Sequence, residues 1–299
     1  MAATAAPEQF KSLASLPSMF FRSLFTVARK DVAAADAFEL TAYYQAPAFS
    51  PAQQQAFQDS FAGFRSELPL ALLYCLAQRV HLAQMLEPDF PWPAPGLVHV
   101  SNALRQHAPI DSTQGFQLTA HVAIPARGPK VSARRLRPLF TVDFYQNEQH
   151  VASCLSEYQV MPKDRGKPSK KREQKSCAEP AAEWHGHDSW KLTETTAREY
   201  ARLSGDFNPI HLHPWLSRWF GFAQPIIHGM YMAARAQAEL ERFHQRPLTA
   251  IEVTFKRPVP LPAEIKLWHQ TSDDDGNGSY QICGAEDHLQ RLEGRYQLG

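Results

Sequence analysis

Apolar positions along the chain change their period several times, and the changes mark out elements. From Leu68 to Leu86 the residues Leu70, Leu72, Leu73, Leu76, Val80, Leu82 and Met85 leave little polar face. That pattern predicts a long helix wrapped by other structure. Ahead of it, FELTAYYQAPAF at 38–49 is aromatic and β-branched enough for an opening strand, and Phe57, Phe61 and Phe64 make one stripe of a helix over 51–64. Behind it, Pro88, Pro91, Pro93 and Pro95 force an irregular connection. Strand-like runs follow at 97–104, 114–124, 136–145 and 150–160, the last two joined by a turn near Asn147.

A second series starts at Trp184. Residues 184–192 lead in, Thr193 caps a helix over 193–203, and Gly205 is suited to end it in the left-handed conformation. Pro214 opens a short helix bearing Trp215, Trp219 and Phe220, which Gly221 closes. We read this stretch as the lid of an active site. Gly229 to Phe243 forms a second long helix, with Met230, Met232, Ala233, Ala236 and Leu240 available for burial. Strands follow at 249–256, 263–271, 279–286 and 288–297, with a strong hairpin signal in DDDGNG at 273–278. A long buried helix followed by antiparallel strands therefore occurs twice, although no sequence repeat links the halves.

Between the two series, Lys163, Arg165, Lys167, Lys170, Lys171, Arg172 and Lys175 crowd a segment with few apolar residues. It reads as a solvated linker. The domains are then 1–161, the linker 162–183 and a second domain 184–299. A basic run can instead contact phosphate, of coenzyme A or nucleic acid, but this one lacks interleaved aromatics. The first thirty residues are Ala- and Ser-rich, with Lys11, Arg22, Arg29 and Lys30 against Glu8 alone, a composition that transit peptides share. The preferred reading is an ordered lead-in, with Phe10, Leu13, Leu16, Phe20 and Leu24 docking on the first domain, because Pro17 interrupts an amphipathic helix.

Composition narrows the class without naming it. The chain has 299 residues, 44% hydrophobic and 20% charged, which suits two ordinary domains. A net charge of +1 gives no reason to expect nucleic acid as a partner. Cys75, Cys154, Cys177 and Cys283 form no C-x-x-C pair, so the chain reads as reduced and cytoplasmic, with no disulfide frame and no metal site. No apolar run reaches the roughly eighteen residues of a membrane span.

The chemistry concentrates in Tyr200-Ala-Arg-Leu-Ser-Gly-Asp-Phe-Asn-Pro-Ile-His211. Asp206, Asn208 and His211 lie within six residues broken by Gly205 and Pro209, so a carboxylate, an amide and an imidazole are displayed on a turn. Alone, such a turn is often an Asx-type structure, with Asp206 bonding backbone amides and His211 merely packed. His213, just before Pro214, sits where a helix cap belongs. His228 is left outside the catalytic set.

The run Y-A-R-L-S-G-D-x-N-P-I-H, with Ser217 and the downstream I-I-H-G-M at 226–230, resembles the MaoC-like, or (R)-specific enoyl-CoA hydratase, family. The resemblance covers about residues 190–235, and F-K-R-P-V-P at 255–260 is similar to that family's strand exit. It implies a double hot-dog, an α+β fold in which curved antiparallel sheets each wrap a long central helix. It also implies a catalytic carboxy-terminal half and a degenerate amino-terminal half that shapes the acyl pocket and has no D-x-N-x-x-H. The expected reaction is reversible hydration of a trans-2-enoyl thioester to the (R)-3-hydroxyacyl thioester. No cofactor is expected beyond the carrier thiol of CoA or an acyl carrier protein, and a homodimer is compatible with the family.

Such a reaction needs an activated water, a proton for Cα and a stabilised thioester oxygen. The resemblance assigns Asp206 and His211 as the dyad, with the base left open, and Asn208 as the residue that orients it. The Gly229 N–H at a helix start is a fit place for an oxyanion. A hot-dog thioesterase and a non-catalytic acyl-thioester binder are the alternatives.

Overall fold

The computed structural model describes residues 10–14, 16–26, 37–126, 136–161, 177, 183–273 and 275–299. The basic run at 163–175 lies outside them. Strands β1 (Lys11–Ser12), β2 (Phe38–Ala46), β3 (Leu97–Gln106), β4 (Phe116–Ile124), β5 (Leu139–Gln146) and β6 (Gln149–Val160) belong to the first half. Strands β7 (His185–Leu192), β8 (Leu248–Phe255), β9 (Ala263–Thr271), β10 (Gly278–Gly284) and β11 (Gln290–Leu298) belong to the second. The helices are α1 (Leu16–Leu24), α2 (Pro51–Ser60), α3 (Leu70–Met85), α4 (Glu194–Ser204), α5 (Pro214–Trp219) and α6 (Gly229–His244).

The strand order among the described residues is β1-β2-β4-β5-β6-β3-β8-β11-β10-β9-β7. Leaving out β1, each half has one order: its first strand, then its third, fourth, fifth and second. The repeat absent from the sequence is thus present in the topology. The two sheets expected from the sequence join into one, because the second strands of the halves pair antiparallel, Ser101 opposite Thr254 and Leu104 opposite Ile251. The fold is a double hot-dog.

Alternation builds the sheet. Phe116, Leu118, Ala120, Val122 and Ile124 of β4 and Phe140, Val142 and Phe144 of β5 are buried, while their neighbours are less so. The β5–β6 hairpin turns at Asn147 and Glu148, with φ of 48° and 65°, a pair of positive values that matches the sheet twist. α3 is almost wholly buried, as its largely apolar pattern requires, and α6 packs beside it. Ala71 N–H donates to Gln237 Oε1 at 3.0 Å. The carboxylate of Glu241, fully buried, accepts from Arg65 N, Ser66 N, Ser66 Oγ, Gln237 Nε2 and Leu248 N at 2.5–3.1 Å. One acid on the second central helix therefore staples a loop of the first half.

Two expectations are corrected. Pro17 does not stop α1, because it falls in the first turn, where its missing N–H is not needed. The lead-in docks on the first half as expected, with Phe10 on Tyr43, β1 paired with β2 and α1 packed on α3, and Leu16 also reaches Gly205 of the second half. Cys177 and Cys283 form a disulfide, with Cα atoms 6.4 Å apart, because Cys177 N–H donates to His288 O and lies along the β10–β11 turn. Cys75 and Cys154 are free and buried. No described helix is long and apolar enough to cross a membrane.

Candidate active site

The polar turn is built as its residue types require. Thr193 Oγ1 accepts from Thr196 N while Thr196 Oγ1 accepts from Thr193 N, and Gly205 ends α4 with φ of 78°. The chain then enters a single 3₁₀ turn at Pro209–His211. Asn208 Oδ1 accepts from Ile210 N, and Asn208 N–H donates to Asp206 Oδ1 at 3.2 Å. Asn208 thus holds both the turn and the carboxylate. His213 caps α5 by accepting from Trp215 N, and buried Ser217 donates to Pro214 O at 3.0 Å. The lid's tryptophans face solvent, Trp215 at 57% and Trp219 at 70% exposure, so α5 does not cover the turn with its rings.

Asp206, His211 and His228 converge, each offering a ligand atom within 4.8 Å of the others. His211 Nδ1 lies 2.7 Å from Ile226 O, and since a carbonyl only accepts, that nitrogen carries the proton and Nε2 is bare. His228 donates from Nε2 to Asp206 O at 3.0 Å, which leaves its buried Nδ1 without a partner. The two rings stack with centroids 3.7 Å apart and 27° between planes. Imidazole lone pairs lie in the ring plane, so stacked rings do not aim at one metal ion. The trio is better suited to hold and move a proton.

Burial pushes His211 below its ordinary value, and it pushes His228, beside the His211 ring, down to about 3. Burial alone would raise the Asp206 carboxyl. The imidazoles of His228 and His211, a side-chain hydrogen bond from Gln78 and the Asn208 N–H outweigh it and hold the group below the usual carboxylate range. Near neutral pH the site therefore offers a carboxylate beside two uncharged imidazoles. Gly229 opens α6 one residue after His228, and its N–H is among the first four that the helix cannot use. A Cβ at Gly229 would lie 2.5 Å from Phe255 Cε1, so only glycine fits beneath that ring.

All four residues picked from the sequence, Asp206, Asn208, His211 and Gly229, fall in this one region. Two neighbours were missed. His228 was set aside although it adjoined Gly229. Gln78 comes from α3 of the first half, and the signal for it was a polar residue on an otherwise apolar buried helix.

Residues 176–288, which contain the whole constellation, match the family described as MaoC like domain. That stretch is a MaoC-like domain. It is 28% identical over 219 residues to 3-hydroxyacyl-thioester dehydratase X of Mycobacterium tuberculosis, covering 70% of this chain and 72% of that one. It covers only 3% to 14% of several longer fungal and peroxisomal enzymes that it also matches. Among solved structures, HtdX of Mycobacterium tuberculosis superposes with a TM-score of 0.67 at 21% identity, over 87% of this chain and all of that one. A second protein from that organism, described as a double hotdog fold, gives 0.53 at 12% identity over 90% of this chain and 96% of its own. At these identities the structural likeness is one of fold.

Proposed function

We propose that the protein is a hydro-lyase that adds water reversibly to trans-2-enoyl thioesters, giving (R)-3-hydroxyacyl thioesters. One observation carries the reading: an ionised Asp206 and a bare His211 Nε2 converge beside the first amides of α6. Two acceptors on one turn can take both hydrogens of a single water. Its oxygen adds to Cβ, one hydrogen stays on the product hydroxyl, and the dyad returns the other to Cα. Charge developing on the thioester oxygen meets the Gly229 N–H and the positive end of the α6 dipole. His211 becomes imidazolium in that step, and the Ile226 carbonyl on Nδ1 and the nearby Asp206 carboxylate stabilise it.

The dehydratase named among the relatives supports this assignment. The carrier is CoA or an acyl carrier protein, and its thiol is the only non-protein group the reaction requires. The test is to incubate the protein with crotonyl-CoA, follow enoyl absorbance and free thiol in parallel, and resolve the product's stereochemistry. Loss of enoyl without free thiol, giving the (R) product, is the expected result. Thiol release would make the protein a thioesterase, and no turnover would make it a binder.

A further inference from the structure

The first half contains a polar cluster that hydration does not use. On α3, Tyr74, Gln78 and His81 fall at i, i+4 and i+7, one stripe on a helix rich in Leu, Ala and Val that also carries Arg79 and Gln84. Gln78 ends at the Asp206 carboxylate. The stripe continues away from the site: Tyr74 OH meets His99 Nδ1 at 3.3 Å and His81 Nδ1 meets Tyr158 OH at 3.2 Å. His99 stacks on Tyr158 with centroids 4.7 Å apart and on Tyr74 at 5.7 Å. His99 also packs 5.2 Å from Phe255, the ring that lies over Gly229. The cluster therefore has Gln78, at the reacting centre, near its middle, and extends about 6 Å along the helix axis to Tyr74 and about 4.5 Å the other way to His81.

Two of its nitrogens, His81 Nε2 and His99 Nε2, are buried and have no partner. A hydrocarbon wall has no use for them, and leaving such groups unpaired is costly. Burial pushes His81 to about 3 and His99 to about 4, so both rings are neutral and each can give or take a hydrogen bond. Neutral rings with hydroxyl neighbours suit an uncharged polar group better than a carboxylate.

We propose that the wall formed by Tyr74, His81, His99 and Tyr158 selects acyl thioesters whose chain carries a neutral hydrogen-bonding group, a hydroxyl or ketone, beyond the enoyl unit. The proposal rests on the hydratase reading above and adds the substrate class to it. The unpartnered imidazole nitrogens find their partner in that oxygen. A plain alkyl chain of equal length would leave them buried and unpaired, so it is the poorer substrate.

The test compares kcat/KM for 2-octenoyl-CoA with its chain-oxygenated hydroxy and keto counterparts, with crotonyl-CoA as the control for hydration itself. The oxygenated thioesters should be preferred at least about tenfold, the scale of one buried hydrogen bond. The preference should collapse toward one in His81→Phe and in Tyr158→Phe. Equal or better use of the alkyl chain by the wild type would overturn the proposal without needing any variant. So would a preference that both substitutions leave intact. Absence of crotonyl turnover would sink the hydratase reading instead, and the same comparison made on thioester binding affinities would still decide the pocket.

Discussion

Gly229→Ala probes the reacting centre with a single methyl group. The added Cβ would lie 2.5, 2.8 and 3.0 Å from Cε1, Cδ1 and Cζ of Phe255. Carbon atoms rest at about 3.5–4.0 Å, so the ring must retreat by about 1 Å or the helix start must tilt. Phe255 has little freedom, since His99 packs against it and its strand is paired with β11. Overpacking of this kind costs about 1–3 kcal/mol, which exceeds whatever an alanine gains at the first helical position. A displacement of about 1 Å at the oxyanion amide should lower kcat by about 10²-fold. Stopped-flow hydration of crotonyl-CoA and urea unfolding read the two effects separately. Phe255→Leu narrows the obstructing group, so the double variant should recover at least about 1 kcal/mol of stability relative to the sum of the single changes. Full activity in Gly229→Ala, or strict additivity with Phe255→Leu, would refute the close approach.

Asp206→Asn and His211→Ala should each slow hydration by at least about 10²-fold, and the double variant little further, because both act on one water; pre-steady-state turnover checks this. His228→Phe keeps a ring to stack on His211 but loses the hydrogen bond to Asp206 O, so it should lower kcat more than it raises KM. Glu241→Leu strands five donors and should destabilise the fold by about 3 kcal/mol or more, measured by urea unfolding at neutral pH. His81 and His228, pushed by burial to about 3, are neutral when folded but take protons when unfolded below about 6.5. Their contribution is whole above that pH and is lost as pH falls toward 3, at about 1.4 kcal/mol per pH unit for each; His81→Phe should remove one such slope from stability measured between pH 6 and 4.

Much of this architecture was legible because periodicity reports burial. The all-apolar 68–86 run could only be a wrapped helix, and the alternation in 116–124 could only be a half-buried strand. Local chemistry was legible for a similar reason: Gly205, Pro209 and Pro214 leave the backbone few choices, so the turn that displays Asp206 and His211 follows from its own residues. What could not be read is whatever depends on chain segments far apart in sequence. Gln78 meets Asp206 across 128 positions, and Cys177 meets Cys283 across 106. Neither pairing leaves a spacing signal. The polar stripe on α3 left a trace, since Gln78 and His81, with Arg79 and Gln84, interrupt a run that is mostly apolar.

The two halves divide the work unevenly but do not separate it. Asp206, His211 and His228 lie on the second half, yet the ring that buttresses them is reached from the first. Phe61, just past the end of α2, packs 5.3 Å from Tyr231 and 6.1 Å from Tyr200, and Tyr200 lies 5.0 Å from His228. Leu16 presses on Gly205, where the polar turn begins, and Gln78 holds the Asp206 carboxylate itself. A half that had lost all bearing on catalysis would be free to drift at these contacts. Here Leu16 packs on the turn and Gln78 bonds its carboxylate, while the Ala71 N–H to Gln237 Oε1 bond and the Glu241 staple tie the second central helix to the first half. The helix of the first half therefore lies against the constellation of the second, with Gln78 on the Asp206 carboxylate and His81 about one turn further along.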